Sequence, residues 1–278
     1  MEPVEKKAVA GHLQTEHHLS ERHACRLIGL ARSVYRYLAR PRDDAEVQSV
    51  LAELAAKHPE FGFRKMFLTL RRLGHLWNHK RVYRVYCLMK LNRRRRKYKR
   101  RVPTRNPLPL VVPPEANQVW SADFMSDALW DGRRFRTFNV IDDFNREALA
   151  VEVDTSISAQ RVVRILDQIA VWRGLPERIR FDNGPELTAL SVVDWAEENG
   201  VELEFIKPGR PMQNGFIERF NRSYREAVLN MYIFETLEDV RIQTEKWLDV
   251  YNQQRPHDSL GNLSPMEYLK KFNPETVI

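Results

Sequence analysis

Three acids set out the chemistry open to this sequence. Asp182 closes a predicted strand in IRFDNGPE (179–186), and Glu218 opens a predicted helix in QNGFIERFN (213–221). Thirty-five residues, 183 to 217, lie between them. Asp123 lies upstream in a strand-like segment, VWSADF (119–124). Hard cations such as Mg²⁺ take oxygen ligands, usually one or two carboxylates each, with water and substrate phosphate completing the octahedron. Three convergent carboxylates therefore suit two such ions, Mg²⁺ or Mn²⁺, acting on a phosphodiester.

Each acid also has a plainer reading. Asp182 precedes Asn183-Gly184-Pro185, where an aspartate can simply cap an Asx-turn. Glu218 shares a predicted helix face with Arg222 and Arg225, which suits either metal binding beside a DNA track or an ordinary exposed ion pair. Phe216, Phe220 and Tyr224 recur every four residues and are expected to pack that helix on a sheet. In the first strand, Ser121 and Asp123 share one side and Trp120, Ala122 and Phe124 the other. Glu186 is expected to favour a helix start. Glu226 is a rival third acid, separated from Asp182 by 43 residues. Asp142 and Asp143 are expected in a solvated loop, and His257 as a packing residue rather than a ligand.

The elements that must position these acids are legible from residue 118 onward. Strands are expected at 118–125, 135–144, 148–154, 178–182 and 201–206. Helices are expected at 158–174, capped by Ser158 and stopped by Gly174, and at 187–200, with a third carrying Glu218. This order gives a mixed α/β sheet with helices packed on it.

The first part of the chain differs in kind. Residues 1–112 hold 26 Lys and Arg against 9 Asp and Glu, a net +17; residues 113–278 hold 19 against 28, a net −9; together they recover +8. A basic half joined to an acidic half fits a polyanion-binding region attached to a metal-binding core. Residues 19–40 read as two short helices around Gly29, capped by Ser20, with Arg32, Arg36 and Arg40 on one face. A further helix is expected over 44–57. Residues 64–74 and 79–91, with Gly74 as stop and Asn78 as cap, form a second helix-turn-helix outline. There Lys80, Arg81 and Arg84 lie away from the apolar stripe. Arg93, Arg94, Arg95, Arg96, Lys97, Lys99, Arg100 and Arg101 place eight cations in nine residues (93–101), which makes binding to phosphates strongly salt-dependent. Lys207 and Arg210 precede the Glu218 helix and are further candidate DNA contacts. Residues 102–114 hold five prolines and read as a linker. The expected domains are thus 1–42, 43–101, a linker over 102–116, and a core with a helical tail over 117–278.

No run of apolar residues is long enough to span a membrane. The start of the chain lacks the apolar stretch of a signal peptide. Cys25 and Cys87 are expected as free thiols in a reducing cytoplasm. His12, His17, His18 and His23 do not make a zinc module, because Cys25 has no second cysteine near it.

The strand acid after WSA, the FDNGPE acid, the thirty-five-residue gap and NGFIERFN resemble the D, D, E triad of bacterial insertion-sequence transposases. More narrowly, they resemble second-open-reading-frame products with a retroviral-integrase-like core. YNQQRPHDSLGNLSPMEYL (251–269) is similar to that family's C-terminal signature. The resemblance implies a ribonuclease H-like five-stranded sheet preceded by an all-α helix-turn-helix-like region. It implies Asp123, Asp182 and Glu218 as catalytic and metal-binding residues, and two Mg²⁺ or Mn²⁺ ions. It also implies double-stranded DNA as substrate, cleaved and then joined by strand transfer. An oligomer on DNA, a first-reading-frame product as partner or fusion, and a place at the bacterial nucleoid follow from it too. Two other classes remain: a non-catalytic DNA-binding regulator or decayed element protein, and a ribonuclease H-type nuclease that only cuts. The second usually places its helix acid between its aspartates, whereas here the glutamate comes last.

Overall fold

Alternation of apolar and polar residues shapes the first strands of the core, and the computed structural model places them together. It describes residues 2–38, 43–92, 110–182, 184–206 and 214–272. The chain divides into two compact units, Met1–Glu46 and Val47–Ile278.

The first unit holds α1 (Pro3–Glu16), α2 (Glu21–Leu27) and α3 (Arg32–Arg36). Ser20 Oγ accepts from the His23 N–H and caps α2, as its residue type favours. Gly29 turns the chain at φ 61°, a conformation that costs glycine little. Ala10, Ala24, Cys25 and Leu30 are buried. Cys25 and Cys87 are both free thiols.

The second unit begins with α4 (Ala45–Lys57), α5 (Phe63–Arg72) and α6 (His79–Leu88), the first of which starts two residues before the unit boundary. Val47, Leu51 and Leu54 of α4 pack with Met66, Leu70, Val82, Val85 and Tyr86. Asn78 caps α6 through the Lys80 N–H, and Gly74 follows α5 at φ 89°. Arg72 ties this helical region to the C-terminal part of the unit. Its guanidinium reaches the Gln254 and Asn262 carbonyls at 3.0 and 2.7 Å and Glu267 at 2.6 Å.

Five strands follow: β1 (Val119–Ala128), β2 (Arg134–Asp142), β3 (Ala148–Asp154), β4 (Arg178–Phe181) and β5 (Glu202–Phe205). Their order is β3-β2-β1-β4-β5. The β1–β2 and β2–β3 pairs are antiparallel, and the β1–β4 and β4–β5 pairs are parallel. This is the ribonuclease H-like mixed sheet. Between β3 and β4 runs α7 (Ala159–Arg173), and between β4 and β5 runs α8 (Leu190–Asn199). Ser158 caps α7, and Gly174 ends it at φ 85°.

The pleat divides β1 between two cores. Trp120 and Ala122 face α7 and α8, against Ile165, Leu166, Ile169 and Trp195. Met125, on the other face, meets the core built by α9 (Gly215–Tyr224), a π-helical turn (Arg225–Leu229) and α10 (Leu237–Gln253). A short α11 (Pro265–Phe272) follows. The buried stripe of α9 is Ile217, Phe220, Asn221 and Tyr224. Phe216 packs against this core partly buried, with the Arg146 guanidinium 3.5 Å from its ring centroid.

Asp142 and Asp143 overturn the solvated-loop expectation: both are fully buried. Asp142 accepts from the Asn117 and Phe144 N–H groups and from Arg173. Asp143 pairs with Arg180 at 2.9 Å. Arg173 also pairs with Glu147 at 2.9 Å. The buried Arg173, the half-buried Arg180 and two backbone N–H donors thus take the place of water around these carboxylates.

Candidate active site

Asp123 is the best-anchored of the three acids. It lies on the central strand β1, opposite Asn139 of β2. Its Oδ1 accepts from the Phe124 N–H at 2.8 Å, and its Oδ2 accepts from Asn221 Nδ2 at 2.7 Å. Asn221 Oδ1 in turn accepts from Asn139 Nδ2 at 2.7 Å. Asn221 lies three residues after Glu218, so the same helix that carries the glutamate orients the aspartate. Neither Asn139 nor Asn221 was singled out in the sequence. The available signal was an asparagine on the apolar stripe of α9, one turn beyond Glu218.

Asp182 follows the last residue of β4, the strand beside β1. Its Oδ1 accepts from the Gly184 N–H at 3.1 Å, the turn expected after the strand. A Cβ at Gly184 would stand 3.0 Å from that same oxygen, so a side chain there would press on the Asp182 carboxylate. Glu218 stands exposed in the first turn of α9.

The electrostatics express the convergence. Burial, then the charges of Asp182 and Glu218, push the Asp123 carboxyl up to about 6, although its two hydrogen bonds work the other way. Burial raises the Glu218 carboxyl as well. Carboxylates that repel one another in this way gain most from a cation placed among them. The donor set is all oxygen, which suits Mg²⁺ or Mn²⁺ and not a thiolate-loving metal. Among the described residues, no three His, Cys, Asp or Glu side chains form a ready-made metal cage.

The candidate DNA contacts fall into several settings. Arg36 is paired with Glu21 at 2.9 Å, as is Arg32 at 3.0 Å. Lys80 is exposed at the start of α6, with Arg81 and Arg84 half-buried further along it. Arg222 is exposed and paired with Glu226 at 3.1 Å. Arg225 does not follow the exposed face: its guanidinium binds Asp127 Oδ2 and the Ser126 carbonyl of β1, each at 3.0 Å. Glu186 pairs with Arg136 of β2. Arg93, Arg94, Arg95, Arg96, Lys97, Lys99, Arg100, Arg101, Lys207 and Arg210 lie outside the described residues. His257 makes an edge contact with Tyr251, ring centroids 4.9 Å apart, and its Nε2 has no hydrogen-bond partner among the described residues.

This sheet, with one aspartate on β1, another just past the adjacent β4 and a glutamate on α9, agrees with comparison to known proteins. Residues 113–211 and 199–265 match integrase core domain families, and residues 41–100 match an HTH-like domain. The chain is 43% identical over 254 residues to the insertion element IS407 31.7 kDa protein of Burkholderia multivorans, covering 91% of both chains. It is 41% identical over 259 residues to the insertion element IS476 39.2 kDa protein of Xanthomonas euvesicatoria, covering 92% of this chain and 74% of that one. A Mycobacterium tuberculosis protein named as a transposase for insertion sequence element IS986/IS6110 is 26% identical over 243 residues, covering 81% of this chain and 87% of its own. Among solved structures, the HTLV-2 integrase catalytic core domain in complex with magnesium aligns at a TM-score of 0.45, with 17% identity, over 55% of this chain and 95% of its own. The chain belongs to the insertion-sequence transposases with an integrase-like core, a family of polynucleotidyl transferases.

Among the described residues, no helix is long and apolar enough to cross a membrane.

Proposed function

We propose that Asp123, Asp182 and Glu218 are the catalytic carboxylates of this transposase, cutting DNA at the ends of an insertion sequence and joining it to target DNA. The observation that carries the reading is the 2.7 Å bond from Asn221 to Asp123, which seats the Glu218 helix against the strand bearing Asp123. Asp182 directly follows the neighbouring strand.

Asp123, Asp182 and Glu218 would together hold Mg²⁺ or Mn²⁺, two ions being expected. Such ions, when bound, supply charge neutralisation at the phosphodiester and acidify water. The protein's own contribution is placement. Asn221 and the Phe124 N–H fix both oxygens of Asp123, leaving further lone pairs on each. Glu218 meets the site from an exposed helix turn. In the first reaction, water displaces the 3′-oxygen at the element's end and leaves a free 3′-OH. In the second, that 3′-OH displaces a 3′-oxygen in target DNA. No covalent bond to the protein forms in either.

Residues 43–101 would grip double-stranded DNA through the helix-turn-helix-like module and the basic run 93–101, with 1–42 as a second helical module and 102–116 as linker. The chain would act as an oligomer on DNA at the bacterial nucleoid, with a first-reading-frame product as partner or fusion.

The test is Mn²⁺-dependent joining of a labelled DNA end into supercoiled plasmid. Glu218→Gln and Asp182→Asn are expected to abolish joining while retaining salt-dependent DNA binding. Joining at the wild-type rate by either variant removes that acid from the site. Deleting 93–101 is expected to weaken binding uniformly across sequences, whereas a sequence-selective loss would assign base reading to the run.

A further inference from the structure

A cleft of about 620 Å³ lies between the start of α5 and the flank of α9, outside the carboxylate site. Arg64, Lys65, Arg219, Arg222 and Arg255 line it, against the acids Glu60, Glu226 and Asp258. Three of the cations have acidic partners: Arg222 with Glu226 at 3.1 Å, Arg64 with Asp258 at 3.6 Å and Arg255 with Glu60 at 3.6 Å. Lys65 lies over the Phe61 ring, its Nζ 5.7 Å from the centroid, and feels Glu60 and Asp258 through their charge.

Arg255 is the informative residue. Its side chain is 9% exposed, held near the rings of Phe61 and Tyr251. Its Nη1 has no hydrogen-bond partner among the described residues, and 3.6 Å to Glu60 is too long to count as one. A buried guanidinium donor left unmatched is costly, and Arg255 is one of the residues that line the cleft. The first turn of α5 opens on the same cleft. Gly62 caps it without a side chain, and no acid occupies that turn, so its N–H groups offer a second set of donors with partial positive charge. Burial, then the charge of Arg255, pushes the Lys65 amine down to about 7 despite Glu60 and Asp258. The cations crowd one another, and an anion would relieve them.

We propose that this cleft is a phosphate subsite, seating one backbone phosphodiester of DNA between the helix-turn-helix-like module and the helix that carries Glu218. Guanidinium forks and a helix N-terminus match tetrahedral phosphate oxygens. Arg219 follows Glu218 directly, and Arg222 lies one turn on. A DNA strand bound at Glu218 therefore passes the mouth of the cleft. The assignment rests on the transposase reading for its ligand and on Glu218 for the path of the strand, but its binding test needs no cleavage.

The test is DNA binding by the intact chain, read as fluorescence anisotropy of a labelled duplex of arbitrary sequence across a KCl series. Each lost phosphate contact should lower the slope of log K against log salt by about 0.9. Lys65→Gln and Arg219→Gln are each expected to lose about that much, and Lys65→Arg to keep the wild-type slope. Thermal unfolding selects variants that remain folded. Wild-type slopes in both folded glutamine variants overturn the proposal, as does an equal loss in Lys65→Arg and Lys65→Gln. Inorganic phosphate separates the two sources of this anion. If it raises the melting temperature of the wild type but not of Lys65→Gln, with DNA slopes unchanged, the cleft serves a free anion and the DNA assignment fails. Binding needs no cleavage, so a wrong choice of catalytic acid leaves this test intact.

Discussion

Asn221 of α9 donates to Asp123 of β1 at 2.7 Å while accepting from Asn139 of β2 at the same distance. Sheet and helix are thereby joined through one of the three carboxylates of the proposed site. Residues that orient metal ligands typically contribute about 10–100-fold to affinity or activity. Asn221→Ala is expected to lower joining by about that factor, with DNA affinity unchanged and a higher Mn²⁺ concentration needed for half-maximal rate. Unaltered metal dependence in a folded variant would reduce the pair to packing.

Metal binding should be visible without any reaction. Mg²⁺ or Mn²⁺ is expected to raise the melting temperature of the wild type, because ligands that bind only the folded state stabilise it. A chelator should reverse the rise. Asp123→Asn should show little of it. An equal rise in the variant would place the ions elsewhere.

The buried guanidinium of Arg173 faces Asp142 and Glu147 at 3.3 and 2.9 Å. Removing one partner of a buried ion pair typically costs about 3–5 kcal/mol, and Arg173→Met is expected to lose that much near neutral pH. Burial already raises both carboxyls, so they take up protons readily once the cation is gone. The loss should therefore shrink in mild acid. Chemical denaturation at two pH values measures both effects, and a pH-independent loss would contradict the charge argument.

His257 supplies a separate pH signature. Burial, then Arg255, Lys65, Arg219 and Arg146, push its imidazole down to about 3 from 6.5. Below 6.5 the unfolded chain binds a proton that the folded chain refuses. Stability therefore falls as pH drops toward 3, by up to about 1.4 kcal/mol per pH unit. His257→Gln is expected to flatten that slope and leave stability above pH 7 less affected. A slope as steep as wild type would locate the acid sensitivity elsewhere.

Local chemistry made much of the core readable. Ser158, Gly174, Asn78 and Ser20 cap or end the helices as their residue types suggest, and strand alternation put Asp123 opposite Trp120. Long-range pairing was not readable. Asp142 and Asp143 look like loop acids until Arg173 and Arg180, which are 31 and 37 residues downstream, close around them. Arg225 looks like part of an exposed face until Asp127, 98 residues upstream, takes its guanidinium. A four-residue aromatic repeat marked Phe216, Phe220 and Tyr224 as packing residues, and all three join the core, but it passed over Ile217 and Asn221, which are also buried. The polar partner of Asp123 sits within an apolar stripe, where hydrophobic patterning marks only packing.

Helix α9 is fastened at both ends, by Arg146 stacked on Phe216 and by Arg225 bound to the end of β1. It therefore works as a ruler. A phosphate held against Arg222 would lie one helical turn, about 5.4 Å, along the axis from Glu218. Since neither end is free to slide, the position of the cut would be measured from the anchored phosphate, leaving sequence readers elsewhere in the chain to choose the DNA without resetting the scale.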